Sequence, residues 1–252
     1  MTTLSLADKV AIVTGGARNM GRAFAEALAR SGASIVIHHH SPASRPDAEL
    51  AAKAIRDVGA RVHLVEGDLT ELAVIHRLFA ETIATFGRVD IVVNNAGVIV
   101  KKPLLEVTEA DFDRSFAINA KAAFFVMQEA ARHIYDGGRI INIGTTLLAA
   151  TTANYSVYAG SKAPLEDFTR ALAREIGKRG VTVNTVAPGP IDTSFYHGQE
   201  SPQAVAYATS ASVAGRLGAI DDIVPVIEFL ASARSQWVTA QTLFVNGGYL
   251  AR

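Results

Sequence analysis

The chain has 252 residues, with 24 lysines and arginines against 24 aspartates and glutamates, and no cysteine. Balanced charge argues against a generic nucleic-acid or membrane-surface binder, and zero cysteine removes disulfides, thiolate nucleophiles and Cys-ligated metal centres. An apolar share of 49 % supports a large core, and α/β chains of this length are routinely one domain, so a single domain over residues 1–252 is expected. The stretch Met1–Val10 holds Asp8 and Lys9 and lacks an apolar leader core. The longest uncharged run, Ile140–Ser161, is broken by Asn142, Gly144, Asn154 and Gly160, which does not suit a membrane span. The expected address is the cytoplasm.

In chain order, a first strand is predicted over Val10–Thr14, then a small-residue turn, Thr14–Gly21, and a helix over Arg22–Ser31. A second strand, Ser34–His38, runs through a short Pro/Ser loop into a helix over Asp47–Val58. Strand Val62–Glu66, helix Ala73–Phe86, strand Val89–Asn94 and a long helix Glu109–His133 follow. Strand Arg139–Ile143, a second long helix Val157–Arg179, and strands Val181–Ala187 and Thr242–Val245 complete the pattern. The strands are Ile/Val-rich runs bounded by Gly, Asn or Asp, as buried parallel strands are. Their alternation with helices predicts a doubly wound parallel sheet of about seven strands, a Rossmann fold. Ile191–Gly215 is the longest irregular segment, and such segments often act as lids.

The turn after the first strand reads Thr14-Gly15-Gly16-Ala17-Arg18-Asn19-Met20-Gly21. Small residues there let backbone N–H groups and a helix N-terminus face a pyrophosphate. Asn19 stands where the strict pattern has glycine, but asparagine tolerates positive φ. Alone, the turn reads equally well as an ordinary strand–helix connection. Farther on, Tyr158 and Lys162 stand at i and i+4 on one helix face. A free phenol ionises near 10, and a neighbouring ammonium stabilises its anion. Tyr155 has Ala159 four residues on and so lacks that cation.

Together these motifs closely resemble the short-chain dehydrogenases/reductases, nicotinamide-dependent oxidoreductases, over nearly the whole chain. Thr14–Gly21, with Gly15, Arg18, Asn19 and Met20, resembles the family's cofactor turn, and Asp68-Leu69 its adenine-contacting step. Asn94-Asn95-Ala96-Gly97 is similar to the motif after the fourth strand, which brings Asn95, Ala96 and Gly97 to the cofactor. Asn119, Tyr158 and Lys162 match catalytic positions, with Tyr158 and Lys162 also touching cofactor. Pro188-Gly189-Pro190-Ile191-Asp192-Thr193 resembles the segment that closes on the nicotinamide, implicating Pro188, Gly189, Ile191 and Thr193. Arg216-Leu217-Gly218 and Val245-Asn246-Gly247-Gly248 resemble C-terminal landmarks. Thr145 stands where the family keeps a catalytic serine and retains a hydroxyl donor. Ala240 and Asn246 replace residues more often Gly and Asp, with little consequence expected.

An NAD-type site usually carries an acidic residue at the end of the second strand. Here His38-His39-His40-Ser41 stands in its place, with His39 at the acid's own position and no nearby acid expected. Arg18 supplies a charge, and His39, His40 and Ser41 hydrogen bonds, for a 2′-phosphate, so NADP(H) is the expected cofactor. A metal site is not expected, because adjacent strand residues point to opposite faces. The resemblance implies hydride transfer between nicotinamide and a carbonyl or secondary alcohol, as in 3-oxoacyl-acyl-carrier-protein and carbonyl reductases. Tyr158 would move the proton, Thr145 bind the oxygen, Lys162 lower the pKa of Tyr158, and Asn119 help hold a relay water. The alternatives are a polyol or secondary-alcohol dehydrogenase and a non-catalytic nucleotide sensor. Residues 191–215 would cover the substrate, with Phe195, Tyr196, Tyr207 and Val98–Val100 as its walls. A small-molecule partner, no nucleic acid, no membrane and a homotetramer complete the expectations.

Overall fold

Seven strands form one parallel sheet in a computed structural model that describes residues 5–150 and 152–251. Residues 1–4, the start of the stretch read for a leader, lie outside the described residues. The chain runs β1 (Val10–Val13), α1 (Asn19–Arg30), β2 (Ser34–His39), α2 (Arg45–Asp57), β3 (Val62–Glu66), α3 (Leu72–Phe86) and β4 (Val89–Asn94). It continues with α4 (Glu109–Phe116), α5 (Ala123–His133), β5 (Ile134–Ile143), α6 (Ser156–Lys162), α7 (Pro164–Ile176) and β6 (Thr182–Pro188). The last elements are α8 (Ser194–His197), α9 (Pro202–Ala211), α10 (Ile220–Ala231) and β7 (Thr242–Val245).

Strand order is β3-β2-β1-β4-β5-β6-β7, the expected doubly wound sheet. Val13 pairs with Ile37 on one side and Val93 on the other. Period-2 alternation sends side chains to both faces. Ala11, Val13, Ile35, Ile37, Ile91 and Val93 pack with Phe24 and Leu28 of α1 and with Ile223, Ile227 and Leu230 of α10. Ile12, Val36, Val92 and Ile140 pack with Ile75, Leu78 and Phe79 of α3 and Val126 of α5. Because both faces are covered, the central strands read as unbroken apolar runs.

Several boundaries differ from expectation, each for a physical reason. The helix expected over Glu109–His133 is interrupted by a π-helical segment, Ala117–Ala122, between α4 and α5. Thr108 caps α4 by accepting from the Asp111 N–H at 3.2 Å. The helix expected over Val157–Arg179 divides at Pro164, which has no N–H to continue the ladder. Helix α1 begins at Asn19, earlier than Arg22. The segment expected to be irregular contains α8 and α9, capped by Thr193 and Ser201. Ala240 adopts φ 61°. That left-handed conformation costs a residue with a Cβ about 1–2 kcal/mol, so the exchange of glycine for alanine is not neutral.

Candidate active site

The sheet order reverses between β1 and β4, and the crevice beyond their carboxyl ends is where such sheets bind ligands. Thr14 ties the two strand ends together: its Oγ1 accepts from the backbone N–H of Asn95 at 2.9 Å and of Ala96 at 3.0 Å. The Asn95 amide donates back to the Thr14 carbonyl at 3.0 Å. Gly15 at φ 62° and Asn19 at φ 50° supply the two left-handed positions of the turn. A Cβ on Gly21 would lie 2.3 Å from the Gly15 carbonyl oxygen and 2.6 Å from Asn95 Nδ2. The turn thus packs backbone against backbone at the start of α1, a cradle whose chemistry fits a pyrophosphate. Met20 packs on the core beneath it. Asn19 turns aside, its Oδ1 accepting from Ser194 Oγ of α8 at 3.1 Å.

His38 supports this turn, a role with no signature in the residue pattern. Its Nδ1 accepts from the Gly15 N–H at 3.3 Å and its Nε2 contacts the Gly67 carbonyl at 2.8 Å. A neutral ring protonated on Nε2 satisfies both bonds, and burial pulls its pKa down to about 4. His39 is buried as well, with Nδ1 3.2 Å from Ser44 Oγ. It is therefore engaged inside the fold, while His40 is exposed and Ser41 partly exposed at the crevice rim. Asp68 and buried Leu69 follow β3, and Asp68 accepts from the Thr70 N–H at 2.9 Å. Burial opposes ionisation of Asp68, but the Thr70 hydrogen bonds together with smaller contributions from His40 and His38 lower its pKa.

The expectation of no nearby acid is corrected here. Asp47 of α2 lies 3.4 Å from Arg18 Nε, and Glu66 at the end of β3 lies 4.0 Å from His39. Helix α2 folds Asp47 back over the turn from almost thirty residues away, which strand-end reading does not anticipate. Both partners of the Arg18 pair are well exposed, so the pair is weak and exchangeable. Among the described residues no group of three or more His, Cys, Asp or Glu is placed to hold a metal ion.

On the other side of the crevice lie Thr145, Tyr158 and Lys162, all buried. Thr145 ends the β5 edge of the site and caps a short turn, its Oγ1 accepting from the Leu147 N–H at 3.3 Å. Thr146 points inward, donating to the Ala187 carbonyl at 3.2 Å. Burial pushes the Tyr158 phenol up to about 12, and the Thr145 hydroxyl beside it acts in the opposite direction. Lys162 donates to the Ile143 carbonyl at 2.8 Å, and burial pulls its pKa down to about 8. The expected lowering of the Tyr158 pKa by Lys162 is not what this arrangement shows: burial dominates the phenol.

Asn119 sits in the π-helical segment, where the widened turn sets it apart from the regular helix rows. Its Nδ2 donates to the Val98 carbonyl and to Ser161 Oγ, both at 2.9 Å, and its Oδ1 accepts from the Val98 N–H at 3.0 Å. Both side-chain heteroatoms are thus engaged in holding the loop after β4 against α6. Ser161, unanticipated from sequence, completes the link by donating to the Tyr158 carbonyl at 2.9 Å. A Cβ on Gly97 would meet Asn119 Oδ1 at 3.0 Å and Lys162 Nζ at 3.2 Å.

The β6 end closes the crevice. Pro188 is the last residue of β6, and the Gly189 N–H donates to the Val245 carbonyl at 3.1 Å. Ile191 is buried and bridges to Gly218, and Thr193 caps α8. Of the aromatic side chains expected as pocket walls, Tyr207 is 67 % exposed and faces solvent, while burial and the Glu200 charge raise the Tyr196 phenol to about 12.

A cradle for a dinucleotide opposite a buried hydroxyl–phenol–ammonium group defines an oxidoreductase of the Rossmann type. The family model described as enoyl-(acyl carrier protein) reductase matches residues 15–250. A hydroxynaphthalene reductase-like protein of Metarhizium brunneum is 39 % identical, covering 98 % of this chain and 97 % of its own. A Burkholderia cenocepacia protein solved with bound NADP is 43 % identical, covers 100 % of this chain and 97 % of its own, and superposes with a TM-score of 0.95. A blue fluorescent protein from a metagenomic library, in complex with NADPH, is 37 % identical over 98 % of this chain and 100 % of its own, with a TM-score of 0.93. The chain belongs to the short-chain dehydrogenase/reductase family.

Proposed function

We propose that the protein is a cytoplasmic NADP(H)-dependent carbonyl reductase, reducing a ketone or 3-oxoacyl-type carbonyl to a secondary alcohol. The observation that carries this reading is the buried Thr145–Tyr158 pair beside Lys162, opposite the Gly15–Gly21 cradle. The NADP- and NADPH-bound relatives and the reductase among the sequence relatives support it. Bound NADPH supplies the hydride. Arg18, His40 and Ser41 would hold the 2′-phosphate end, Arg18 being paired, among the described residues, only with the exposed Asp47. Asp68 and the main chain at Leu69 would meet the adenine end. Asn95, Ala96, Gly97, Pro188, Gly189, Ile191 and Thr193 shape the nicotinamide end.

Tyr158 O–H donates its proton to the carbonyl oxygen, and Thr145 Oγ1–H hydrogen-bonds the same oxygen. A phenol near 12 stays protonated across neutral pH, the form that reduction requires. Lys162, anchored on the Ile143 carbonyl, offsets the charge left on the phenolate. The side chain of Asn119 is committed to Val98 and Ser161, so it serves by positioning. Residues 191–215 cover the substrate within a single domain. A homotetramer is proposed, supported by the exposed apolar Leu104, Leu105, Phe112 and Phe124 around α4 and α5 and by Trp237 before β7; light scattering tests it.

NADPH oxidation against a panel of ketones tests the function, and a flat response across the panel overturns it. In the same assay Arg18→Ala is expected to raise the KM for NADPH about ten-fold or more, as loss of a charge-assisted hydrogen bond does. The KM for NADH should stay nearly unchanged. Equal effects on both cofactors would remove Arg18 from the 2′-phosphate. The reaction should also weaken with alkali. Lys162 is charged below about 8 and neutral above it. The kcat/KM for reduction, which reports free-enzyme ionisations, is therefore expected to fall as pH rises through about 8. A profile flat to pH 10 would show that the ammonium charge is not needed.

A further inference from the structure

Glu200 lies between α8 and α9, in the segment read above as the substrate cover. Its side chain is only 4 % exposed, an unusual place for a carboxylate unless it is paired. One oxygen accepts from Lys101 Nζ, in the loop after β4, and the other from the Tyr155 hydroxyl, on the residue that opens α6. Lys101 is itself only 18 % exposed and lies 5.4 Å from the centroid of the Tyr155 ring. The three groups come from three separate parts of the chain. They meet one helical turn from the proposed proton donor: the Tyr155 and Tyr158 ring centroids are 6.0 Å apart.

The remaining polar ties of this segment are of a different kind. Ser194 to Asn19 is an exposed hydroxyl–amide bond, the Asp192 N–H to the Gly218 carbonyl is a backbone bond at the near end, and the Val213 N–H and Ser212 hydroxyl both donate to the Gly247 carbonyl at the far end. Between them Glu200 is the point where the cover reaches the wall that carries Tyr158. A buried ion pair is poor at adding stability but strict about geometry, because the cost of desolvating both charges is repaid only by a close, fully hydrogen-bonded arrangement. Such a contact favours one closed arrangement over many loose ones.

We propose that Glu200 is a positioning residue that clamps residues 191–215 against the catalytic wall by engaging Lys101 and Tyr155 together. The proposal rests on the reductase reading for what lies beneath the cover. The sequence offered no sign of it, because Lys101, Tyr155 and Glu200 form no motif.

Chymotrypsin tests the clamp directly, since Phe195 and Tyr207 lie within the segment. Glu200→Gln and Lys101→Met are each expected to speed cleavage in 191–215 about ten-fold or more, as loss of a charged buried partner shifts a local opening equilibrium. Tyr155→Phe, which removes one tie and no charge, should speed cleavage by about three-fold; it carries the test if the charge variants do not fold. With ketone substrate, Glu200→Gln should raise KM about ten-fold while kcat falls less than about two-fold, the split expected of lost positioning. The double variant Glu200→Gln/Lys101→Met should be no worse than the worse single, because the pair acts as one unit. Wild-type cleavage rates and KM in these variants, or losses that multiply in the double, overturn the clamp. If wild-type protein reduces no ketone, the functional reading fails instead, and the cleavage measurements, which need no substrate, still decide the clamp.

Discussion

Tyr158→Phe is expected to lower kcat for ketone reduction by about a hundred- to ten-thousand-fold, the usual contribution of a positioned general acid. NADPH affinity should change less than about two-fold, because the ring that packs in the site is retained and only the proton donor is removed. The melting temperature should move little for the same reason. The measurement is paired: NADPH titration by fluorescence, and single-turnover oxidation with ketone in excess. The neighbouring Tyr155 makes the outcome informative. Its hydroxyl is already given to Glu200, and burial pushes its pKa well above the normal phenol range. Tyr155 is thus a poor substitute donor, and retained turnover in Tyr158→Phe would sink the assignment of Tyr158.

Gly21→Ala should be the most damaging single methyl in the cofactor cradle. Its Cβ would lie 2.3 Å from the Gly15 carbonyl oxygen, a backbone atom that no rotamer change moves aside. Helix α1 must tilt away from the turn, and overpacking of this kind costs about 1–3 kcal/mol or more. The expected result is a melting temperature lowered by several degrees, about 2–4 °C per kcal/mol at this chain length. NADPH affinity should fall about ten-fold or more with it, because the same shift spoils the cradle. Gly177→Ala is the control. Gly177 has helical φ −58°, and a Cβ there meets nothing within 4 Å. That variant should bind NADPH normally and gain about 0.4–1 kcal/mol of stability. If Gly21→Ala melts and binds like the control, close backbone packing at the turn is not what the cradle depends on.

Much of the architecture was legible because its causes are local. The Ile/Val runs of β1, β2 and β4 are buried on both faces, and a run buried on both faces has to be apolar throughout. Tyr158 and Lys162 were legible because the chemistry fixes residue type and spacing together. Features made by tertiary approach were not. Asp47 meets Arg18 only through the fold of α2 onto the turn. His38 looked like one of three equivalent histidines until pairing with β1 placed its ring under Gly15. The π-helical step at Asn119 is a change of backbone hydrogen-bond register and leaves no residue signature. Helix α10 is legible as well, since Ile220, Ile223, Val224, Ile227 and Leu230 stand at helical spacing and the helix buries Ile223, Ile227 and Leu230.

The pairing of β1 with β4 has a consequence for how the molecule comes into being. Val13 and Val93 are paired neighbours in the sheet at the floor of the crevice, yet the ribosome delivers them about eighty residues apart. Contacts of such long sequence separation close late and slowly. A nascent chain can shape the glycine turn early, but it cannot own a crevice until β4 arrives, nor a closed one until β6 and β7 do. Recovery of catalysis after dilution from denaturant should therefore lag behind recovery of helical signal, making activity a clock for the last strands to dock.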